Sequence, residues 1–202
     1  MTARTDCPPD FPLGVYETLA AVATALADAD SDYAVGGAVA MFAAGYARTT
    51  TDVDVFVVGD QAQEVLQVLA AAGFRIREIS DCQFHAQLAN YAGTTICADI
   101  LLTWSNPELS AVLAPIAGQI GAVRFQAFAV ADIVASKVTV DAGSAVWFKS
   151  KQDIGALYQR GLFDPAQVRK GMIANSVPYL QEFDAMMAEI TSLRPDSGWK
   201  RR

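Results

Sequence analysis

The chain has 202 residues, 52% of them hydrophobic and 18% charged, so it can bury a core as one domain or as two small lobes. Its net charge of −7 disfavours tight non-specific binding to long nucleic acid, because the phosphate backbone would be repelled. The early apolar stretch is too short for a signal sequence or a membrane span, and three widely spaced cysteines indicate neither a disulfide framework nor a zinc site, so we expect a cytoplasmic protein with no membrane partner.

Strands and helices alternate through the first half of the chain. Apolar residues at helical spacing predict a helix over residues 11–29, with Asp10 as its N-cap and Pro12 just inside it. The elements predicted after it are, in order, a strand at Tyr33–Val35, a helix at 38–44, a strand at 53–58, a helix at 61–72, strands at 74–79, 84–88 and 95–103, a short helix at 107–113 and a strand at 123–128.

Only helical patterns follow Ala129. They cover residues 131–140, 147–159, 165–174 and 178–193, and glycine, proline or asparagine separates them. We therefore predict an α/β (α+β) fold in two parts, a mixed β-sheet domain with flanking helices at 1–129 and a C-terminal helical lobe at 130–202.

Two aspartates stand at the start of an apolar strand, in the segment Thr51-Asp52-Val53-Asp54-Val55. Side chains two residues apart on a strand point to the same side, so Asp52 and Asp54 share a face. Two carboxylates held together against a core repel each other and lose hydration, and a cation would relieve both costs. Oxygen ligands of this kind are typical of Mg²⁺ or Mn²⁺ sites.

A third carboxylate, Asp99, lies within the apolar run Ile96-Cys97-Ala98-Asp99-Ile100-Leu101-Leu102. Such a strand is expected to be interior to a sheet, where an unpaired carboxylate is costly. Asp99 therefore needs either a bound metal or a cationic partner, for which Arg48 and Arg124 are the candidates. In the simpler alternative, Asp52 is a turn residue and Asp54 a solvated residue of an edge strand.

Two glycines, Gly36 and Gly37, connect a short strand to a helix fifteen residues before Asp52. Glycine lets a phosphate approach the backbone closely, and the first turn of a helix offers N–H groups without intrahelical partners. A tight strand-to-helix turn also needs glycine without any ligand, so the pair is informative only through its position before the aspartates.

The order Gly36-Gly37, Asp52-x-Asp54 and Asp99 resembles the DNA polymerase beta-like nucleotidyltransferase superfamily. The segment Arg48-Thr49-Thr50-Thr51-Asp52-Val53-Asp54 is similar to the Arg-x-Thr-x-Asp-apolar-Asp segment of its minimal bacterial members, which include abortive-infection toxins of type IV toxin–antitoxin systems. The helix containing Ser136-Lys137 resembles one that carries a lysine to the triphosphate. Such relatives continue with Arg-x-Lys-Asp-x-x-Asp, where this chain has Trp147-Phe148-Lys149-Ser150-Lys151-Gln152-Asp153, keeping Lys149 and Asp153 but not the arginine or the first aspartate.

The resemblance implies transfer of an NMP from a nucleoside triphosphate to an acceptor hydroxyl, with expulsion of pyrophosphate. It assigns two Mg²⁺ (or Mn²⁺) ions to Asp52, Asp54 and Asp99, with Asp99 also a candidate general base. The nucleotide-binding residues that it implies are Gly36, Gly37, Arg48, Thr50, Lys137 and Asp153. The acceptor stays open between a tRNA end, a protein and a small molecule such as an antibiotic, and an antitoxin partner is implied for the toxin members.

Three other functions fit parts of the same pattern. A non-catalytic nucleotide-binding regulator could keep the fold and bind triphosphate without releasing pyrophosphate. A glycosyltransferase also uses Asp-x-Asp with a metal, but its chemistry does not require the diglycine turn or Asp99. In a structural or partner-binding domain, Asp99 would pair with Arg48. The one histidine, His85, is interpreted as a surface or partly buried strand residue and is not assigned to the site.

Overall fold

The computed structural model describes residues 6–102, 115–138, 144–174 and 179–192. Its internal contacts divide the chain into two compact units, Met1–Ile133 and Val134–Arg202. The division falls within a helix, Val130–Val138, whereas the boundary predicted from the sequence lies just before that helix. The helix predicted at residues 107–113 lies outside the described residues.

Within the described part of the first unit, seven strands form one mixed sheet. They are β1 (Tyr33–Val35), β2 (Asp52–Val57), β3 (Phe74–Ser80), β4 (Gln83–Leu88), β5 (Cys97–Leu102), β6 (Ile116–Ile120) and β7 (Val123–Ala127). Their order across the sheet is β3-β4-β5-β2-β1-β7-β6. The β2–β5 and β1–β7 pairs are parallel and the other pairs antiparallel, so the α/β mixed-sheet fold predicted from the sequence is confirmed.

Among the described residues, the α-helices that accompany this sheet are α1 (Leu13–Asp28), α2 (Gly37–Ala43) and α3 (Ala62–Ala71). Short 3₁₀ turns also occur at Gly59–Gln61 and Ala89–Tyr91. Helix α1 packs against β2, β5 and β7, and α3 packs against α1 and β3. Pro12 itself is the N-cap of α1, rather than Asp10, because its backbone is still extended (φ −64°, ψ 123°).

The two strands with the aspartates each bury one face. Val53, Val55 and Val57 of β2 are fully buried, as are Ala98 and Ile100 of β5. Each buried valine stabilises the fold by about 1.5–3 kcal/mol relative to an exposed one. Because slipping a strand by one residue would exchange its two faces, this burial specifies the register and directs the alternate, polar side chains to the other face.

The second unit is helical in its described part. Its helices are the end of α4 (Val130–Val138), then α5 (Ala145–Gln159), α6 (Pro165–Ala174) and α7 (Leu180–Ser192). Ser144 caps α5 by accepting a 3.0 Å hydrogen bond from the Trp147 N–H. Helix α7 packs against both α5 and α6. The buried side chains of this unit include Ile154, Leu157, Val168, Phe183 and Met186.

One strand, β6, is not predicted from the sequence. Its glycine, Gly118, weakens the strand pattern, and the strand is defined by antiparallel pairing with β7. Gly121 in the connecting turn has φ +55°, a conformation that hairpin turns require and glycine adopts at low cost. Among the described residues, no helix combines the length and the hydropathy needed to cross a bilayer.

Candidate active site

The structure brings Asp52, Asp54 and Asp99 to one face of the sheet. In the parallel pairing of β2 with β5, Asp54 lies opposite Asp99, and Asp52 lies opposite Cys97. Neighbouring strands are about 4.8 Å apart, so these side chains are immediate neighbours. Strand β2 lies between β1 and β5, so the alternative that places Asp54 on an edge strand is wrong.

A hydroxyl from the preceding loop holds the first aspartate. Thr50, which is buried, donates from Oγ1 to Asp52 Oδ1 at 2.5 Å. The nucleotide contact implied for Thr50 stays a prediction, but the contact that the structure shows is to a carboxylate of the cluster. In the same loop, Arg48 donates from Nη1 to the Thr49 carbonyl at 3.3 Å.

The diglycine turn lies directly against Asp54. The Gly36 N–H donates to the Asp54 carbonyl at 2.9 Å, so this N–H belongs to the sheet rather than to a phosphate site. Gly37 begins α2 with φ +54°, and a Cβ atom placed on it would overlap Asp54 Oδ2. Glycine is therefore required at 37 for two reasons, the left-handed backbone and the close approach of the carboxylate. The N–H groups of Gly37 and Ala38 precede the first intrahelical bond of α2, from Ala40 N–H to the Gly36 carbonyl.

A Gly37→Ala substitution is expected to displace the Asp54 carboxylate. We expect it to reduce the nucleotidyl transfer that the sequence resemblance implies by about 10²-fold, since small displacements of reacting groups have effects of this size. The matched control is Gly73→Ala. Gly73 has φ +92°, but an added Cβ would meet no atom within 4 Å, so this variant imposes the backbone strain without the overlap. Activity and urea unfolding are measured for both, and equal activity losses in the two variants would contradict the role of the Asp54 contact.

Asp99 has two described neighbours that can donate to it. Nε2 of His85 lies 3.2 Å from Asp99 Oδ1, and Cys97 Sγ lies 3.4 Å from the same oxygen. The alternative of an ion pair with Arg124 is not supported, because Arg124 lies on β7, three strand spacings from β5. The sequence interpretation missed His85, although the alternation of Gln83, His85 and Gln87 indicates a polar face on β4.

The cluster is electrostatically unfavourable for negative charge. Burial raises the pKa of Asp99, and the nearby Asp52 carboxylate raises it further, whereas Cys97 and His85 act in the opposite direction. Burial and the three surrounding carboxylates raise the pKa of Cys97 to about 12. Both shifts disfavour the anionic forms in the absence of a cation, so the donor set fits a hard divalent ion held by carboxylate oxygens.

The resemblance assigns Lys137 and Asp153 to nucleotide binding. In the structure they form an ion pair with each other. In the second unit, Lys137 Nζ lies 2.8 Å from Asp153 Oδ2, and their side chains are 14% and 3% exposed. An ion pair this buried holds both groups in place. The contact of Lys137 with a triphosphate stays a prediction, and the contact shown for Asp153 is to Lys137.

No protein-family model matches the chain, and no curated protein matches its sequence. Similarity appears among solved structures. An antigenic nucleotidyltransferase-like protein from Paracoccidioides brasiliensis has a TM-score of 0.60 and 19% identity, with 91% of this chain and 89% of that chain covered. The solution structure of the antibiotic-resistance factor ANT(2'')-Ia has a TM-score of 0.53 and 14% identity, with 87% and 90% covered.

The crystal structure of ANT(2'')-Ia in complex with adenylyl-2''-tobramycin gives a TM-score of 0.52 and 16% identity, with 85% of this chain and 93% of that chain covered. At such identities the likeness establishes the fold. The chain therefore shares the fold of these structures, one of which is a nucleotidyltransferase-like protein, in agreement with the fold that the sequence resemblance implies.

Proposed function

We propose that the chain is a metal-dependent nucleotidyltransferase that moves an NMP from a nucleoside triphosphate to an acceptor hydroxyl. One observation carries the proposal. The register of β2 and β5 places Asp54 opposite Asp99, with Asp52 on the same face and the Gly37 backbone against Asp54. On a fold shared with nucleotidyltransferases, this is an oxygen-rich site beside backbone N–H groups.

The carboxylates of Asp52, Asp54 and Asp99 would hold the magnesium or manganese ions. When bound, such ions neutralise phosphate charge and lower the pKa of an acceptor hydroxyl. The residues of the chain orient the reactants. Thr50 fixes Asp52. The N–H groups of Gly37 and Ala38, at the start of α2, would donate to phosphate oxygens.

In the proposed reaction, the acceptor oxygen forms a bond to the α-phosphorus while the bond between that phosphorus and the pyrophosphate oxygen breaks. Pyrophosphate leaves with the electron pair of the broken bond, and the hydroxyl proton passes to a base. Asp99 is the candidate base, because its pKa is raised from the ordinary value by burial and by Asp52.

We favour a small hydroxylated molecule as the acceptor. This chain covers 93% of ANT(2'')-Ia in its complex with adenylyl-2''-tobramycin, so the two chains are of similar extent. The net charge of −7 also favours a cationic acceptor over a tRNA end. A tRNA end, a protein hydroxyl and the toxin role with an antitoxin partner are the competing outcomes of the test.

The test is incubation of the purified protein with each α-³²P-labelled nucleoside triphosphate, magnesium and one acceptor pool at a time. The pools are a panel of small molecules that includes aminoglycosides, total tRNA, and a cell extract. We expect label on the acceptor together with release of pyrophosphate, and neither product when magnesium is removed by chelation.

Asp54→Asn protein is the matched negative control for these incubations. Triphosphate binding without pyrophosphate release in any pool would replace the proposal with a nucleotide-binding regulator. Label appearing only on tRNA or on protein would support the nucleotidyltransferase activity but contradict the proposed small-molecule acceptor.

A further inference from the structure

Three side chains form a polar row across β3, β4 and β5 on the carboxylate face. The antiparallel registers place Arg77 opposite His85, and His85 opposite Asp99. Arg77 Nη2 lies 3.2 Å from His85 Nδ1, and His85 Nε2 lies 3.2 Å from Asp99 Oδ1. The imidazole therefore bridges a guanidinium and the third carboxylate of the site.

The partners of the two ring nitrogens determine where the imidazole proton lies. A guanidinium only donates hydrogen bonds, so Nδ1 beside Arg77 must act as the acceptor. The proton of the neutral ring then lies on Nε2, which donates to Asp99 Oδ1. Cys97 contacts the same oxygen, so both donors lie at Oδ1, and a cation would bind through Oδ2.

We propose that His85 is a positioning residue for Asp99, with Arg77 setting its tautomer, so that Asp99 is held oriented before a metal binds. The proposal rests on the proposed function. Partners that hydrogen-bond a metal-ligating carboxylate typically change metal affinity or activity by about 10- to 100-fold when they are removed. Asp99 is only 16% exposed, so water cannot easily substitute for the lost donor.

A different use of the same atoms is a three-ligand transition-metal site. His85, Cys97 and Asp99 each offer a ligand atom, and the three atoms lie within 4.8 Å of one another. Metal binding through Nε2 would place the ring proton on Nδ1, directly facing the N–H groups of Arg77. In that arrangement two hydrogen-bond donors, His85 Nδ1–H and the Arg77 guanidinium, would face each other. The Arg77 contact therefore favours the positioning role over the metal site.

The first test reads the tautomer and does not depend on activity. His85 is the single histidine of the chain, so a ¹⁵N-histidine-labelled protein without a histidine tag reports on this ring alone. At about pH 8, we expect a protonated Nε2 and an unprotonated Nδ1, as the Arg77 contact requires. Asp99→Asn is expected to shift mainly the Nε2 resonance. A protonated Nδ1 in the native protein would overturn the proposal.

The second test compares two replacements at 85. His85→Leu removes the donor, and we expect it to weaken Mn²⁺ binding, measured by isothermal titration calorimetry, by about 10- to 100-fold. His85→Gln keeps an N–H at similar reach and is expected to recover most of the affinity. Equal losses in both variants, or an unchanged affinity in His85→Leu, would overturn the positioning role.

Arg77→Leu has a matched control on the same strand. Arg75 is also exposed and lies on the same face, but it is opposite Gln87 rather than His85. We expect Arg77→Leu, and not Arg75→Leu, to populate the second tautomer of His85. If the native protein binds no Mn²⁺ and transfers no nucleotide, the proposed function fails, while the tautomer and the Asp99→Asn shift still decide whether His85 holds Asp99.

Discussion

An Asp54→Asn variant is expected to lose at least about 10³ in the rate of nucleotidyl transfer while it remains folded. Asp54 lies opposite Asp99, on the same face as Asp52, and is the carboxylate packed on the Gly37 backbone. In the proposed reaction, the loss of one anionic metal ligand would remove several kcal/mol of charge stabilisation in the transition state, and about 4 kcal/mol corresponds to a factor of about 10³. Asparagine has nearly the same shape, so it can keep the packing over Gly37. The kcat/KM at saturating magnesium measures the loss.

Asp60→Asn is the matched control for this variant. Asp60 is exposed in the 3₁₀ turn Gly59–Gln61, and its substitution changes the net charge equally. We expect full activity in that control and an unfolding midpoint in Asp54→Asn no lower than that of the native protein, because a repulsive charge has been removed. Asp99→Asn is expected to behave as Asp54→Asn does. Native turnover in either of these two variants would remove the catalytic assignment.

The second large effect is expected on stability. In the native protein, the Lys137 side chain is only 14% exposed and is paired with Asp153. An Asp153→Leu variant leaves this buried ammonium without its partner, and we expect a loss of about 3–5 kcal/mol in the free energy of unfolding. The double variant Lys137→Met/Asp153→Leu is expected to recover most of the loss, because no buried charge remains. Urea denaturation followed by tryptophan fluorescence measures all three proteins.

An exposed pair in the same unit serves as the comparison. Arg169 and Asp184 are joined at 3.0 Å, but their side chains are 47% and 44% exposed. An exposed pair of this kind contributes little, so Asp184→Leu should have a much smaller effect than Asp153→Leu. Similar losses in the two variants, or a double variant no more stable than Asp153→Leu alone, would show that burial of the Lys137–Asp153 pair is not what stabilises this unit.

Much of the candidate site could be predicted from local patterns. Strand alternation places Asp52 and Asp54 on one face, and the diglycine before them predicts a tight strand-to-helix turn. The helices of the second half are likewise predicted nearly to their ends, since an amphipathic repeat acts within one or two turns. Helix α5 begins two residues before its predicted start, because the Ser144 cap was not recognised in the sequence.

Other features of the site depend on contacts that no local pattern contains. Thr50 is close to Asp52 in sequence, yet its hydrogen bond to that carboxylate depends on the path of the loop. His85 and Arg77 join Asp99 only through the registers of two antiparallel pairs. Strand β6 was missed for a similar reason, because its pairing with β7 compensates for the glycine within it.

The sequence alone determined the fold class, the shared face of Asp52 and Asp54 and the residue types able to bind a cation, because periodicities of 2 and 3.6 residues are properties of adjacent residues. Only the tertiary structure decided that Asp54 stands opposite Asp99, that His85 contacts Asp99, and that Lys137 pairs with Asp153. These contacts join residues that are far apart in the chain. They depend on strand pairing and on the burial of whole strand faces, which are properties of the folded chain as a unit.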